Sequence, residues 1–217
     1  MKPICLMNVT LFSCYYYLLL LYIFLNCFIM KKNVFSARAL EALKELEGNH
    51  YVSNSEYVCV PSLCPSGVWT YSYGITCVHN GVRLTSVNCA PDDIRLKQFM
   101  TNDVVGCHDV FYEKVEEFVL SVDCRLNVEV LPHQFDALVL HAYNCGFSDT
   151  LYKMINTCKN PEDIAYWWQT HYTTGNGKAL KGLKLRRYFE ADLFRFGWEY
   201  VQSIEFYRKK IYKKRSE

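Results

Sequence analysis

Hydrophobic and polar positions follow different rhythms along the chain, and each change of rhythm marks a boundary. From Ile4 to Met30 there are 27 positions without a charge, closed by Lys31 and Lys32. About 20 apolar residues span a bilayer, so this run is long enough to cross one. Three origins fit it: a signal anchor, a secretory signal cleaved near Val34-Phe35-Ser36, or a leader excluded when translation starts at Met30. Lys31, Lys32 and Arg38 follow the run while Lys2 precedes it, which by the positive-inside rule favours a cytoplasmic C-terminal side.

Behind that segment the rhythm becomes helical. Ala39, Leu40, Leu43 and Leu46 recur at helical spacing, Ser36 suits the N-cap and Gly48 the C-terminus, which predicts a helix over 36–48. Between Asn49 and Asn88 apolar residues alternate with polar or small ones, as at Val58, Val60, Val68, Trp69, Tyr71, Tyr73, Val78 and Val82. Pro61, Pro65, Gly67, Gly74 and the pair Asn80-Gly81 punctuate them. That pattern predicts a small antiparallel sheet with a hairpin at Asn80-Gly81. After Asn88 the chain reads as helical to its end. Pro91-Asp92-Asp93 is a helix start, Pro132 opens a helix over Gln134–Asn144 with Phe135, Leu138, Val139 and Ala142 on one face, and shorter helices follow at Thr150–Thr157 and Asp163–His171. Gly182–Phe196 is amphipathic, and the tail from Arg208 to Arg215 is basic. One helix, a small sheet and then many helices predict an α+β fold with the sheet confined to one lobe.

Composition narrows the function. With 217 residues, 51% hydrophobic and 21% charged, the chain has enough apolar material for one domain or two small lobes sharing a core. A formal net charge of +2 gives no electrostatic reason to expect nucleic acid. Of 11 cysteines, Cys5, Cys14 and Cys27 lie in the apolar run. Eight remain: Cys59, Cys64, Cys77, Cys89, Cys107, Cys124, Cys145 and Cys158. An even, high count suits an exported disulfide-bonded domain, and a scatter of reduced core cysteines is the other reading. No CxxC pair or Cys/His cluster has zinc spacing, so neither a metal nor an organic cofactor is expected.

Three stretches carry the chemistry. The first joins Leu46-Glu47-Gly48 to the run from Cys64 through Pro65-Ser66-Gly67-Val68-Trp69-Thr70-Tyr71 to Gly74. The second runs from Leu131-Pro132-His133-Gln134-Phe135 to Tyr143-Asn144-Cys145-Gly146. The third is Gly177-Lys178-Ala179-Leu180-Lys181-Gly182-Leu183, followed by Arg186-Arg187 and Glu190. In this order they resemble the phage-type lysozymes, or endolysins, of glycoside hydrolase family 24, over about residues 37–197. The resemblance implies a lysozyme-like fold: a small lobe of one helix and an antiparallel sheet, a long connecting helix, a helical lobe and a cleft between them. The chain would divide into a hydrophobic segment at 1–32, a lysozyme-like catalytic unit at 33–200 (small lobe about 37–90, helical lobe about 91–200) and a basic tail at 201–217. The implied reaction is hydrolysis of the β-1,4 bond between N-acetylmuramic acid and N-acetylglucosamine. The implied partner is the peptidoglycan strand, met outside the cytoplasm by a monomer, with residues 4–30 in the membrane if they are retained. Lysis and antibacterial defence are the roles it suggests.

The family signature is a Glu ending the first helix, then an Asp or Cys, then a Thr on the sheet, matched by Glu47, Cys64 and Thr70. A glycosidic oxygen is a poor leaving group, so a carboxylic acid must hand it a proton, the role assigned to Glu47. Cys64, as a thiolate, and Thr70, through its hydroxyl, would position the attacking water. Tyr71 and Tyr73, beside Thr70, are expected to line the cleft. Gln134, Asp136 and Asn144 read as structural, Arg186, Arg187 and Glu190 as an ion-pair set on the last long helix, and Trp167 and Trp168 as core. Cys64 is alternatively half of a disulfide with Cys59, Cys77 or Cys89. Sixteen residues separate Glu47 from Cys64, more than the family usually has, and Glu56, with seven residues between it and Cys64, is the alternative acid. Ile75 stands where the family commonly has His, so a catalytically degenerate glycan-binding or membrane-tethered structural protein is the competing functional reading.

Overall fold

The computed structural model describes residues 33–48, 59–64, 66–101, 104–175 and 177–201. The expectations for the apolar segment, for Glu56 and for the basic tail lie outside them. Among the described residues no helix is long and apolar enough to cross a membrane, and no group of His, Cys, Asp and Glu is placed to hold a metal ion.

Helix α1 (Ala37–Glu47) begins where the side chain of Ser36 accepts from the Ala39 amide at 3.1 Å. It ends at Gly48, whose φ of +73° suits glycine and whose N–H bonds back to Lys44 O. Its inner face buries Ala39 and Leu43. Asp136 anchors its start: Ser36 N–H and Oγ donate to the two oxygens of Asp136 at 2.9 and 2.7 Å, and Trp198 Nε1 donates to Oδ2 at 2.7 Å. Asp136 therefore fixes a helix end, as its sequence position implied.

The small lobe is a three-stranded antiparallel sheet, β1 (Ser62–Leu63), β2 (Trp69–Tyr71) and β3 (Ile75–Thr76), in that spatial order. Ser62 pairs with Thr70 and Thr70 with Thr76. A separate hairpin joins β4 (Val78–His79) to β5 (Val82–Arg83). Its turn residues Asn80 and Gly81 both have positive φ, 49° and 76°, the geometry for which Asn-Gly is favoured. Trp69, Cys77, Leu84, Cys89 and Leu96 form a local core, joined by Tyr71 and Phe99.

A 3-10 helix (Ile94–Phe99), capped by Asp93, leads to α2 (Val104–Asp123), whose 20 residues extend about 30 Å. The helical lobe comprises α3 (Pro132–Cys145), α4 (Asp149–Asn156), α5 (Pro161–Thr170) and α6 (Lys181–Phe196). Phe135 to Ala142 are all buried, Asp136 and His141 included, because α3 packs against α1, α2 and α6 at once. A helix covered on every side has no solvent face to reveal, which is why the pattern marked only one stripe.

Two expectations change. The chain is not helical to its end: β6 (Thr174–Gly175) pairs with β7 (Lys178–Ala179) just before α6. The eight described cysteines are all free thiols, so no disulfide staples Cys59 or occupies Cys64. Cys59, Cys77, Cys89 and Cys107 are instead buried as small side chains.

Candidate active site

Glu47 is the last residue of α1, and its carboxyl turns inward, with 14% of the side chain exposed. Arg186 on α6 donates from Nη1 to Glu47 Oε1 at 2.5 Å. Glu47 Oε2 approaches the turn that follows β2. A Cβ on Gly74 would lie 3.5 Å from it, and the φ of +79° at Gly74 also suits glycine. That turn is clamped from three directions. Ser72 N–H donates to Cys59 Sγ at 3.2 Å, Ser72 Oγ donates to Cys107 O on α2 at 3.0 Å, and Tyr143 OH on α3 donates to Tyr73 O at 3.0 Å. The turn is thus tied to Cys59, α2 and α3, while Arg186 holds the Glu47 carboxyl beside it. Tyr143 is itself pushed well above the usual phenol range by burial, with the charge of Glu47 adding to the effect.

A cavity of about 470 Å³ opens beside Glu47, walled by Leu46, Asn144, Leu180 to Leu183, Leu185, Arg186 and Phe189. It joins the foot of α1 to the start of α6, so residues far apart in sequence face one space.

Arg186 links the acid to a buried network. Its Nε donates to Glu190 Oε1 at 3.0 Å and its Nη2 to Leu140 O at 3.0 Å. Glu190 also accepts from Arg187 Nη2 at 2.9 Å and from Trp168 Nε1 at 3.0 Å. Burial alone would raise the Glu190 carboxyl, but Arg187, His141 and Arg186 outweigh it and bring it down to about 2. His141, 3.0 Å from Glu190, is held below its usual value, burial overcoming the carboxylate. Arg187 also reaches Asn144 Oδ1 at 2.9 Å and contacts the Cys145 thiol. Arg186 and Glu190 do form the expected i,i+4 pair. The further contact from Arg186 to Glu47 was not legible, because 139 positions separate the two.

Thr70 lies in the middle of β2, 7% exposed, and its Oγ1 donates to Ser62 O at 3.3 Å. Cys64 follows β1, its N–H bonded to Val68 O at 2.8 Å. It is two residues past Ser62, so strand alternation turns it to the face of Thr70, as a diagonal neighbour roughly 7–8 Å away. Burial pushes the Cys64 thiol up, but its 2.9 Å contact with Ser66 Oγ and the backbone N–H groups of Val68 and Ser66 win, leaving it below its ordinary value. A thiol so placed gains thiolate character.

The tyrosines behave otherwise. Tyr71 shares the face of Trp69, opposite Thr70, and packs on Phe99 at 5.0 Å between ring centres. Tyr73 is 4% exposed and packs on Phe111 at 4.4 Å. Neither ring shares the face of Thr70: alternation sends Tyr71 into the small-lobe core, and the turn sends Tyr73 into the main one. Trp168 is fully buried as expected, while Trp167 is partly covered and stacks on His171 at 4.3 Å.

Comparison with known proteins places the chain as a whole. A family profile described as phage lysozyme matches residues 54–190. The endolysin of Bacillus phage B103 is 36% identical over 111 residues, covering 44% of this chain and 40% of that protein. The endolysin of Bacillus phage PZA is 32% identical over 109 residues, covering 48% and 41%. The chain thus spans about 40% of the length of these curated relatives. Among solved structures, an endolysin from Escherichia coli O157:H7 phage FAHEc1 aligns with a TM-score of 0.56 and 26% identity, over 75% of this chain and 94% of that one. A lysozyme of phage P22 aligns with a TM-score of 0.51 and 20% identity over 74% and 97%, a likeness of fold.

Proposed function

The chain belongs to the phage lysozyme family, and from that premise we propose that it is a peptidoglycan hydrolase: a muramidase cleaving the β-1,4 bond between N-acetylmuramic acid and N-acetylglucosamine, acting on the cell wall outside the cytoplasm. The observation that carries this reading is the inward-turned carboxyl of Glu47, held by Arg186 against the turn that ends the Thr70 strand and facing a cavity of glycan-accommodating size. Glu47 donates a proton to the glycosidic oxygen as the bond breaks. Water attacks the anomeric carbon and passes its proton to Cys64 in its thiolate form, which ends as the thiol while the water oxygen becomes the new anomeric hydroxyl. Thr70, whose Oγ1 already donates to Ser62 O, keeps lone pairs that accept from that water, and Cys64 stands on the same face with its thiol below its ordinary value. A water held between acid and base gives inversion at the anomeric carbon.

A second assignment of the acid has its own support. The family match begins at residue 54, which takes in Glu56 and leaves Glu47 outside. Turbidity loss of a Gram-negative peptidoglycan suspension, measured with the intact chain and with Glu47→Gln and Glu56→Gln separately, tests both. Loss of activity in Glu47→Gln alone supports the main reading, and loss in Glu56→Gln alone overturns it. No activity in the unsubstituted chain favours a glycan-binding descendant.

A further inference from the structure

Cys59 and Cys107 take no part in the chemistry assigned to Glu47, Cys64 and Thr70, and both are almost fully buried. Their thiols are hydrogen-bonded to each other. The backbone holds them there from two sides. Cys59 pairs with Thr101 in an isolated antiparallel bridge, its N–H donating to Thr101 O at 3.0 Å and its carbonyl accepting from Thr101 N–H at 3.1 Å. Cys107 belongs to α2, and its carbonyl accepts from Ser72 Oγ at 3.0 Å, while Ser72 N–H donates to Cys59 Sγ at 3.2 Å. Ser72 therefore joins both cysteines at the turn that follows β2. Between the two cysteines the chain forms the three-stranded sheet, the β4–β5 hairpin and the 3-10 helix. A bond between the sulfurs would close residues 60–106 into a ring and fasten the small lobe to α2.

We propose that Cys59 and Cys107 are a modification site, a dithiol that glutathione disulfide converts to a cystine, locking the small lobe onto the long helix in an oxidising compartment. One cysteine loses its proton and attacks a sulfur of glutathione disulfide. A mixed disulfide forms, and the departing glutathione thiolate takes up that proton. The second cysteine, deprotonated in turn, attacks the protein sulfur of the mixed disulfide, and the second glutathione leaves with the second proton. Two protein thiols are oxidised, and one glutathione disulfide is reduced to two glutathione thiols. Burial pushes the Cys59 thiol up to about 11, and its bond to Cys107 adds to the rise. Little thiolate is present near neutral pH, so the exchange is slow and runs through transient opening of the lobe. The bridge stands apart from the muramidase reading, and neither depends on the other.

The test equilibrates the full chain in glutathione buffers from fully reducing to fully oxidising. Each sample is quenched with acid, alkylated and mapped by mass spectrometry, and its Tm is followed by circular dichroism. The expected result in oxidising buffer is a linked peptide pair holding Cys59 and Cys107, with a Tm about 10 °C above that of the reduced chain. Dithiothreitol reverses both. Cys107→Ala abolishes the link and the rise, whereas Cys124→Ala, which removes an exposed thiol outside the pair, keeps them. Mapping of the unsubstituted chain decides the pairing even if Cys107→Ala does not fold. Cys59 and Cys107 both alkylated or carrying only glutathione in oxidising buffer, a bridge from either to another cysteine, or a Cys59–Cys107 bridge without a rise in Tm overturns the inference and leaves the muramidase reading untouched.

Discussion

Substituting Arg186 tests whether the buried network and the acid form one unit. Arg186 donates in three directions: Nη1 to Glu47, Nε to Glu190 and Nη2 to Leu140 O. Only 6% of its side chain is exposed, and Glu190 is wholly buried. A lysine carries one compact ammonium and cannot reproduce a planar fork. Methionine removes the charge altogether and leaves Glu190 with Arg187 and Trp168. Breaking a buried ion pair from one side costs roughly 3–5 kcal/mol. The partners left to Glu190 put Arg186→Met at the lower end, about 3 kcal/mol, which for a chain of this size lowers Tm by roughly 6–12 °C. The same substitution frees Glu47 Oε1, and a misplaced acid costs on the order of a hundredfold in rate. The assays are thermal unfolding followed by circular dichroism, and turbidity loss measured well below either Tm. Arg186→Lys is expected to retain more stability than Arg186→Met yet lose comparable activity. An Arg186→Met variant with unchanged Tm and activity within about twofold of the parent would refute the coupling.

Three further outcomes follow from the same geometry. Thr70→Val keeps the shape of the β2 residue and deletes the hydroxyl, so kcat is expected to fall about a hundredfold with little change in Tm, read by reducing-end release. Glu190 is depressed from 4.5 to about 2 and His141 is held below 6.5, so both favour the folded state when deprotonated. Denaturant titrations should therefore show stability fully present above pH 6.5, declining first as His141 protonates in the unfolded chain and again between about pH 4.5 and 2. Burial pushes the Cys59 thiol up to about 11 and the Cys77 thiol up to about 12, whereas Cys64 lies below its ordinary value. Iodoacetamide with peptide mapping at mildly alkaline pH should modify Cys64 first of the three, and equal labelling would contradict the hydrogen-bonded thiol.

Local signals were legible wherever the backbone needs a particular residue. Ser36 and Gly48 bounded α1, Asn80-Gly81 marked a hairpin, and Pro132 opened a helix, because caps and turns are decided by a few neighbours. The second hairpin carries the same signal: Asn176 and Gly177 lie between the paired residues Gly175 and Lys178. A strand of two residues is too short for alternation to announce it, and the helical run beyond masked it. The faces of the strand residues were legible from period two, since Trp69 and Tyr71 must share one face and Thr70 the other. The grip of Arg186 on Glu47 depends on how α1 and α6 pack, and no local spacing encodes that. Cysteine parity suggested bridges, but parity carries no distances, and the fold leaves the eight thiols unbridged.

The most direct test of the central claim is reducing-end release from purified peptidoglycan by the intact chain beside its Glu47→Gln and Glu56→Gln variants, each shown to be folded by circular dichroism. Removing a general acid costs on the order of a hundredfold to ten-thousandfold, so Glu47→Gln is expected to lose essentially all release while Glu56→Gln keeps it. Release that survives Glu47→Gln and vanishes in Glu56→Gln would contradict the account.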